Sequence, residues 1–274
     1  MEKIIFGGRG SKNDPVLEGL YNKEELSKNG IKVTDPTRIE SCHGCPDIVE
    51  HYSKETQYFA NNDDRVVGVL IGGLSFALPG IQGTHVTYPI ISVPLDMVAY
   101  QNFMLPSGHA VTSTVGIERK LENGYTTTQR KKALTIAENI LNLDTYPVAI
   151  RGDGDLEKLE KELDEIGIVV DDDSDLILSY GSKPLTDVDE KCIQIWADTQ
   201  SSSMSGSYMD DTERFLARTP NTVQVRGLKN LEIYAAKILS LNDPEMREAI
   251  KKIGENKRKD YNVRSIIDEI FTRD

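Results

Sequence analysis

The sequence predicts an α/β protein made of two related doubly wound parallel-sheet units in tandem, of which the second is degenerate. Three observations lead to this fold class. Short apolar runs typical of buried strands alternate with longer stretches typical of helices, and several of the strands end at glycines. The order of strands, turns and helices then begins again near the middle of the 274-residue chain. Strands that alternate with helices favour a parallel sheet.

The first unit is predicted to span residues 1–145. Asp14 and Pro15 precede the apolar residues Leu17, Leu20 and Leu26, and aspartate followed by proline is typical of a helix start. We therefore expect a helix to begin directly after the first strand. The strands of this unit are expected at residues 3–8, 31–33, 65–71, 89–94 and 109–115, and its helices at residues 16–26, 46–59 and 127–141.

The second unit, residues 146–274, repeats this order with fewer recognisable motifs. The sequence AENIL at residues 137–141 resembles AKIL at residues 236–239, so both units are expected to close with similar helices. We interpret the pattern as an internal duplication. The strands of the second unit are expected at residues 146–151, 175–181, 192–197 and 220–225, and its helices at residues 156–166, 228–239 and 244–259.

The net charge of −12 is spread unevenly over the chain. Residues 1–145 carry 14 lysines and arginines against 17 acidic residues, a net charge of −3, and the remainder carries 18 against 27, a net charge of −9. An acidic second half repels nucleic acids and anionic membranes, so neither is an expected partner. A small anionic ligand is still compatible, because local backbone amides and a few cations can outweigh a distant net charge.

The apolar runs, the cysteines and the cofactor motifs of the sequence indicate which cellular compartment and which cofactors to expect. No apolar run approaches the roughly 20 residues needed to span a bilayer, and residues 1–6 lack the long apolar core of a signal peptide. Three cysteines are too few for a disulfide framework. We therefore expect a cytoplasmic protein. We expect no metal and no organic cofactor, because a complete ligand set and a dinucleotide fingerprint are both missing.

A glycine turn with the sequence GSKND, Gly10 to Asp14, follows the first predicted strand. A helix starting after such a turn would present free backbone N–H groups to an anion, and Ser11 would add a hydroxyl donor. The carboxylate of Asp14 would accept two ribose hydroxyls, so the turn suits a ribose phosphate. The alternative is an ordinary strand–helix turn in which Asp14 only caps the helix.

Four further motifs follow along the first half. They are SCHGCP at residues 41–46, GG at residues 72–73, ALPG at residues 77–80 and MLPSG at residues 104–108. In this order the motifs resemble the phosphoribosylaminoimidazole carboxylase and N5-carboxyaminoimidazole ribonucleotide mutase family of purine biosynthesis. Its members have a GSxSD turn, an SAHRTP segment, a glycine pair, an HLPG helix start and a QMPxG segment. The resemblance covers about half of the chain, and MSG at residues 204–206 is similar to the family's LSG.

The resemblance implies a flavodoxin-like fold and a carboxyl transfer without a cofactor. The carboxyl group would migrate between the exocyclic nitrogen and a ring carbon of aminoimidazole ribonucleotide, or CO2 would be added directly. The phosphate would lie in the glycine turn and the carboxyl group beside the glycine pair. The family assembles as octamers whose sites are completed by neighbouring subunits, which implies a tetramer of tandem chains here. The implied substrate-binding residues are Gly10, Ser11, Asp14, Ser41, Gly72, Gly73, Leu78, Pro106, Ser205 and Gly206.

His43 is the predicted catalytic residue. In the family a histidine moves the proton at the ring carbon, and a neutral imidazole can take and return a proton near physiological pH. A surface loop histidine is the alternative. The chain departs from the family pattern at Gly44, where members have a phosphate-binding arginine, and at Ala77, where a second histidine is usual. Phosphate affinity would then come from Arg9 or Lys12.

The sequence leaves other functions open. Cys42 and Cys45 supply two ligands of a zinc site that His43 and His51 would complete, or they form a redox pair, or they pack as small residues under a loop. Another reading is a related carboxylase for a different nucleotide, such as the pyridine nucleotide carboxylase of nickel-pincer cofactor synthesis, which shares the Ala-Leu-Pro motif. A third is a non-catalytic nucleotide-binding scaffold that kept the fold.

Overall fold

The computed structural model describes residues 1–34, 46–73, 78–103, 111–144, 147–199 and 206–260. Within these ranges eleven strands and nine helices alternate along the chain, as the hydrophobic pattern predicts. The strands are β1 (Lys3–Arg9), β2 (Ile31–Thr34), β3 (Arg65–Gly72), β4 (Ile90–Pro94), β5 (Ser113–Thr114), β6 (Lys120–Leu121), β7 (Gly124–Tyr125), β8 (Ala149–Arg151), β9 (Leu176–Gly181), β10 (Ile193–Asp198) and β11 (Thr222–Val225). The helices are α1 (Lys23–Lys28), α2 (Pro46–Asn61), α3 (Leu78–Gly83), α4 (Met97–Phe103), α5 (Thr128–Asn142), α6 (Leu156–Glu165), α7 (Gly206–Arg218), α8 (Gly227–Leu239) and α9 (Pro244–Asp260).

Nine of these strands form one large sheet, in the order β2-β1-β3-β4-β5-β11-β10-β9-β8, and β6 and β7 form a separate hairpin. Neighbouring strands of the large sheet are parallel except at the β5–β11 junction. A mostly parallel sheet flanked by helices, consistent with flavodoxin-like α/β units, confirms the predicted fold class.

The two halves of the sheet have corresponding strand orders. The first half runs β2-β1-β3-β4-β5. In the second half β8, β9, β10 and β11 follow in that order, and Val148, just before β8, forms an isolated parallel bridge to Val170. If the segment at Val170 is matched with β2, the two orders are the same. This correspondence supports the duplication, which stays a prediction.

Helices cover both halves in a similar way. The closing helix of the first half, α5, packs against β1, β3 and β4, and the closing helix of the second half, α8, packs against β9, β10 and β11. Strand β3 is buried along its whole length, as expected for a strand covered on both faces. Most buried apolar residues of both halves belong to one continuous core cluster, and Tyr100 and Leu216 form a small separate one.

The two halves meet where β5 and β11 pair antiparallel, with Thr114 opposite Gln224; we call this junction the seam. Buried side chains also cross it. The Tyr100 hydroxyl in α4 donates to Oε1 of Gln224 at 2.5 Å, and the Ser113 hydroxyl donates to the Tyr234 hydroxyl in α8 at 2.7 Å. Because buried polar groups need hydrogen-bond partners, these contacts tie the halves together specifically. The sequence did not predict that the two sheets join edge to edge.

The prediction of a helix directly after Asp14 and Pro15 is wrong. Residues 15–21 form turns, with Leu17 buried in the core and Gly19 at φ +81°. Helix α1 begins only at Lys23, because the Asn22 side chain accepts hydrogen bonds from the backbone N–H groups of Glu24 and Glu25 and caps it. The apolar spacing was produced by a buried loop and not by a helix face.

Among the described helices, none combines the length and the hydrophobicity that crossing a lipid bilayer requires.

Lys237 in α8 places an amino group inside the core. Its side chain is completely buried, and its Nζ donates to the backbone carbonyls of Gly83 and Val111, both at 3.3 Å. Burial lowers the pKa of Lys237 to about 7. Both carbonyls belong to the first half, so this residue also links the halves.

Lys237 should make the stability of the protein depend on pH. Its folded pKa of about 7 lies below the unfolded value, so between about pH 7 and about pH 10 the unfolded chain binds more protons and raising the pH stabilises the fold. We expect the free energy of unfolding, measured in denaturant over this range, to rise more in the wild type than in Lys237→Met. The difference should be on the order of a few kcal/mol.

The control for this experiment is Lys161→Met, which removes an exposed lysine of α6 and should leave the pH slope of the wild type. Parallel stability curves for the wild type and Lys237→Met would contradict the expectation.

Candidate functional site

The carboxyl ends of β1, β3 and β4 meet at one edge of the sheet. The N–H of Gly10, after β1, donates to the carbonyl of Ile71 at 3.0 Å, and the N–H of Leu95, after β4, donates to the carbonyl of Gly72 at 2.9 Å. Ligands of open parallel sheets bind outside the carboxyl ends of the strands. The glycine turn and the glycine pair therefore lie side by side where a ligand is expected.

The turn from Gly10 to Asp14 is organised by Arg9. Its Nη1 donates to the carbonyls of Lys12 at 3.2 Å and Asp14 at 3.1 Å. Within the turn, the Asp14 N–H donates to the Ser11 carbonyl at 3.1 Å, and the Asn13 N–H donates to the Ser11 hydroxyl at 3.3 Å. Since no helix starts here, the turn does not offer an anion the N-terminus that was predicted. Arg9 shapes the turn, and Ser11 and Lys12 remain exposed on it.

Asp14 is half-buried at the end of the turn. Its pKa is raised to about 6, chiefly because burial disfavours the charged carboxylate. A backbone hydrogen bond from Ser11 and the positive charge of Arg9 oppose this shift, and the charge of Asp96 adds to it. Near neutral pH, Asp14 therefore exists in both charge states and can both accept and donate hydrogen bonds.

Asp96 stands on the other side of the glycine pair. Its Oδ1 accepts a hydrogen bond from the N–H of Ala99 at 2.8 Å at the start of α4. Its Oδ2 would lie only 2.8 Å from a Cβ atom placed on Gly73. A side chain at position 73 would thus displace the Asp96 carboxylate, which packs directly against the Gly73 backbone.

Tyr125 in the β6–β7 hairpin lies within electrostatic reach of both carboxyl groups. Its pKa is raised first by burial and then by the charges of Asp14 and Asp96. The three side chains therefore lie in one electrostatic neighbourhood at the carboxyl ends of the strands, and we call this region the strand-end cleft (Asp14, Gly72–Gly73, Asp96 and Tyr125). Lys120 of the same hairpin has its Nζ 5.9 Å from the centre of the Tyr125 ring.

A buried ion pair holds the walls of the strand-end cleft in place. Glu118 accepts hydrogen bonds from the Thr126 hydroxyl, from the N–H of Arg130 at 2.9 Å and from Nε of Arg130 at 3.4 Å. The Arg130 guanidinium also donates to the carbonyls of Val16 at 2.6 Å and Thr126 at 2.7 Å. The pair therefore connects the chain that follows the turn, the base of the hairpin and the start of α5.

The structure brings together only some of the predicted site residues. Gly10, Ser11, Asp14, Gly72 and Gly73 meet at the strand-end cleft. The predicted residues Ser41, His43, Pro106 and Ser205 lie outside the described residues, as do Cys42 and Cys45.

Two other predicted residues lie elsewhere. Leu78 begins α3 with its side chain in the core cluster, 2% exposed, so only its backbone can face a ligand. Gly206 begins α7 after β10, and β10 points in the opposite direction to β4 because the seam is antiparallel. Gly206 therefore follows a strand end at the opposite edge of the sheet from the glycine turn.

The second half contains the arrangement that was predicted for the first. Its turn at residues 151–155 leads directly into α6, and the Asp155 side chain caps this helix by accepting from the N–H of Lys158 at 3.0 Å. Asp153 is held by Ser182, which donates from its N–H at 2.7 Å and its hydroxyl at 2.6 Å. These hydrogen bonds lower the pKa of Asp153. The Asp153 carboxylate is thus occupied by hydrogen bonds from Ser182, which directly follows β9.

Sequence reasoning missed Asp96, Tyr125, Glu118 and Arg130. For Asp96 a signal existed, because it follows the predicted strand at residues 89–94 and so had to lie at the carboxyl edge. The other three depend on the hairpin, which the sequence pattern did not predict. Among the described residues, no three His, Cys, Asp or Glu side chains lie close enough together to hold a metal ion.

Comparison with known proteins gives a partial match. No family profile matches the chain. The chain is 33% identical over 88 residues to N5-carboxyaminoimidazole ribonucleotide mutase of Methanocaldococcus jannaschii, a match that covers 30% of this chain and 51% of the mutase. The chain thus spans about half the length of this relative. The match supports a distant relation to this mutase over that part of the chain.

The Glu118–Arg130 pair should contribute strongly to stability. Glu118 is fully buried and the Arg130 side chain is 7% exposed, so Glu118→Gln leaves a cation without its counter-charge in the protein interior. Breaking such a pair typically costs about 3–5 kcal/mol. We expect a loss of this size in the free energy of unfolding measured by denaturant titration.

The matched control is Glu50→Gln, which breaks the exposed ion pair between Glu50 and Lys54, whose oxygen and nitrogen are 2.6 Å apart. Exposed pairs contribute at most about 1 kcal/mol. Equal losses in Glu118→Gln and Glu50→Gln would show that the buried pair does not hold the cleft.

Proposed function

We propose that this chain binds an aminoimidazole ribonucleotide in the strand-end cleft and catalyses carboxyl transfer on it in purine biosynthesis, as a carboxylase or as a mutase. The observation that carries the proposal is the similarity to the Methanocaldococcus jannaschii mutase. The position of the glycine turn beside the glycine pair, at the edge where parallel sheets bind ligands, supports it.

The turn and the glycine pair receive different parts of the ligand in this proposal. The exposed hydroxyl of Ser11 and the charge of Lys12 hold the phosphate, with the backbone of Gly10 approaching closely. Asp14 binds the ribose hydroxyls, and its pKa of about 6 lets it accept from one hydroxyl and donate to another. The aminoimidazole ring then lies toward Gly72 and Gly73.

His43 is assigned as the general acid and base. In the mutase reaction the carboxyl group leaves the exocyclic nitrogen and bonds to the ring carbon, and the ring carbon gives up one proton while the nitrogen gains one. A single imidazole can carry that proton, so neither an oxidant nor a cofactor is required. In the carboxylase reaction CO2 bonds to the ring carbon, and the proton released there passes to His43.

The remaining residues of the predicted site come from other parts of the chain. Ser41, Leu78 and Pro106 complete the substrate contacts of the first unit, residues 1–145. Ser205 and Gly206, in the second unit, residues 146–274, are assigned to the cleft of a neighbouring chain in a tetramer, because β10 and β4 point in opposite directions within one chain.

A binding titration tests the ligand class directly. Aminoimidazole ribonucleotide should bind to the purified protein more tightly than adenosine monophosphate, ribose 5-phosphate and nicotinic acid mononucleotide. Calorimetry measures all four under the same conditions. Tighter binding of nicotinic acid mononucleotide would favour the alternative of a related carboxylase for another nucleotide. Equally weak binding of all four ligands would contradict the proposed function.

His43→Asn tests the catalytic assignment. Asparagine keeps hydrogen-bonding capacity but does not titrate near neutral pH, and general acid–base groups typically contribute about 100- to 10,000-fold in rate. We expect turnover to fall by at least about 100-fold while the affinity for the ribonucleotide changes little.

Three variants serve as controls for His43→Asn. His51→Asn changes an exposed histidine of α2 and should leave turnover unchanged. Cys42→Ser and Cys45→Ser should have small effects, because thiols have no role in the proposed mechanism. Essential cysteines together with a dispensable His43 would transfer the chemistry to a redox or metal site.

A further inference from the structure

Two carboxyl groups meet in the second half, between α6 and α8. The Glu232 side chain in α8 is completely buried, and the Glu162 carboxyl in α6 lies within hydrogen-bond reach of it. One oxygen of Glu232, Oε2, is 2.7 Å from Nζ of Lys229. The other oxygen, Oε1, has no N–H or hydroxyl donor among the described residues. The contact with Glu162 therefore places one acceptor against another unless a proton lies between them.

Burial and charge determine which of the two carboxyl groups carries that proton. Burial raises the pKa of Glu232 to about 7, and the contact with Glu162 adds to this rise while Lys229 opposes it. The pKa of Glu162 is lowered, chiefly by the hydrogen bond with Glu232 and also by the charge of Lys158, whose Nζ is 3.7 Å from Oε1 of Glu162. Glu162 is 25% exposed, so water solvates its charge. Glu232 is therefore the donor and the Glu162 carboxylate the acceptor.

We propose that this carboxyl pair, Glu162 and Glu232, shares one proton and fastens α6 to α8, so that loss of the proton at higher pH releases α6. The two helices contact each other, and α6 also packs on β8, the last strand of the large sheet. Two carboxylates in hydrogen-bond contact repel each other strongly when both are ionised. Once the proton has left, the partly exposed Glu162 turns toward water, and α6 loses its polar contact with the buried helix.

The neighbouring charges do not remove this dependence on pH. Within the two helices, Lys229 provides one positive charge beside the pair, and Glu165 adds a further negative charge near Lys229. From β8, Arg151 is bound to Asp172, with Nη1 and Oδ1 2.5 Å apart. From α9, Arg247 donates to a backbone carbonyl at the opposite end of α8. The carboxyl pair is thus balanced by one cation, which is enough for one carboxylate and not for two.

Lys237 is another group of α8 that titrates near neutral pH, and its effect has the opposite sign. The folded pKa of Glu232 lies above the ordinary value of 4.5, so the stability that the pair contributes is fully present below about pH 4.5 and is lost as the pH rises through about 7. Lys237 instead stabilises the fold as the pH rises above about 7. Asp198 is buried at the carboxyl end of β10, which also packs against α8. Lys237 and Asp198 are unchanged in the variants used below, so their contributions cancel in the comparison.

Glu162→Gln tests the shared proton. The glutamine amide donates to Glu232 at every pH, so the contact no longer needs a proton, and the ion pair with Lys229 is retained. Denaturant titrations of the full chain measure the equilibrium constant of unfolding between about pH 4.5 and about pH 7. We expect this constant to rise with pH at least about tenfold more in the wild type than in Glu162→Gln. Amide hydrogen exchange, corrected for the intrinsic effect of pH, should show the loss of protection in α6.

Glu160→Gln is the matched control, because it removes one carboxylate from an exposed position of the same helix. This variant should keep the pH dependence of the wild type. Parallel curves for the wild type and Glu162→Gln, or the same flattening in Glu160→Gln, would overturn the inference. Stabilisation of the wild type but not of Glu162→Gln by magnesium or calcium ions near neutral pH would also overturn it, since the pair would then hold a metal cation in place of the proton.

Discussion

The antiparallel pairing of β5 with β11 is the constraint on which the rest of the fold depends. Only Thr114 and Gln224 are opposite each other in this pairing, and β5 itself has two residues. So short a contact is supported by buried side chains, among them Tyr100 and Lys237, that find their partners across the seam. Their desolvation would be costly without those partners, so the halves are fixed in one relative orientation.

The elements of the fold could be predicted where local pattern decides them. Strand β3 is a continuous apolar run, and α5 shows a clear apolar face, so both were predicted within a residue or two of their observed bounds. The region around Leu17 was predicted wrongly, because a buried loop and a helix face show similar apolar spacing. Gly19 at positive φ and the cap at Asn22 decided the outcome, and both are weak signals in a sequence.

The contacts between distant parts of the chain could not be predicted from the sequence, for a different reason. Whether two sheets stay apart or join depends on which edges are complementary, and hydrophobic periodicity carries no such information. The same holds for buried charges. Glu118 and Lys237 are residue types that are almost always exposed, so nothing in the sequence marks them as interior. Of the candidate site, the turn with Asp14 and the glycine pair were predicted, whereas the second carboxyl group near them, that of Asp96, became visible only in the fold.

The direction of the strands has a consequence for how activity responds to dilution. Because the seam is antiparallel, the loops after β4 and after β10 start at opposite edges of the sheet, and one chain has one strand-end region on each side. If Ser205 and Gly206 serve the cleft of the first half, as proposed, their loop must then come from another molecule. Such a cleft is complete only in an assembly, and its occupancy obeys mass action. Under the proposed function and assembly, the specific activity per chain would fall as the protein is diluted below the dissociation constant of that assembly.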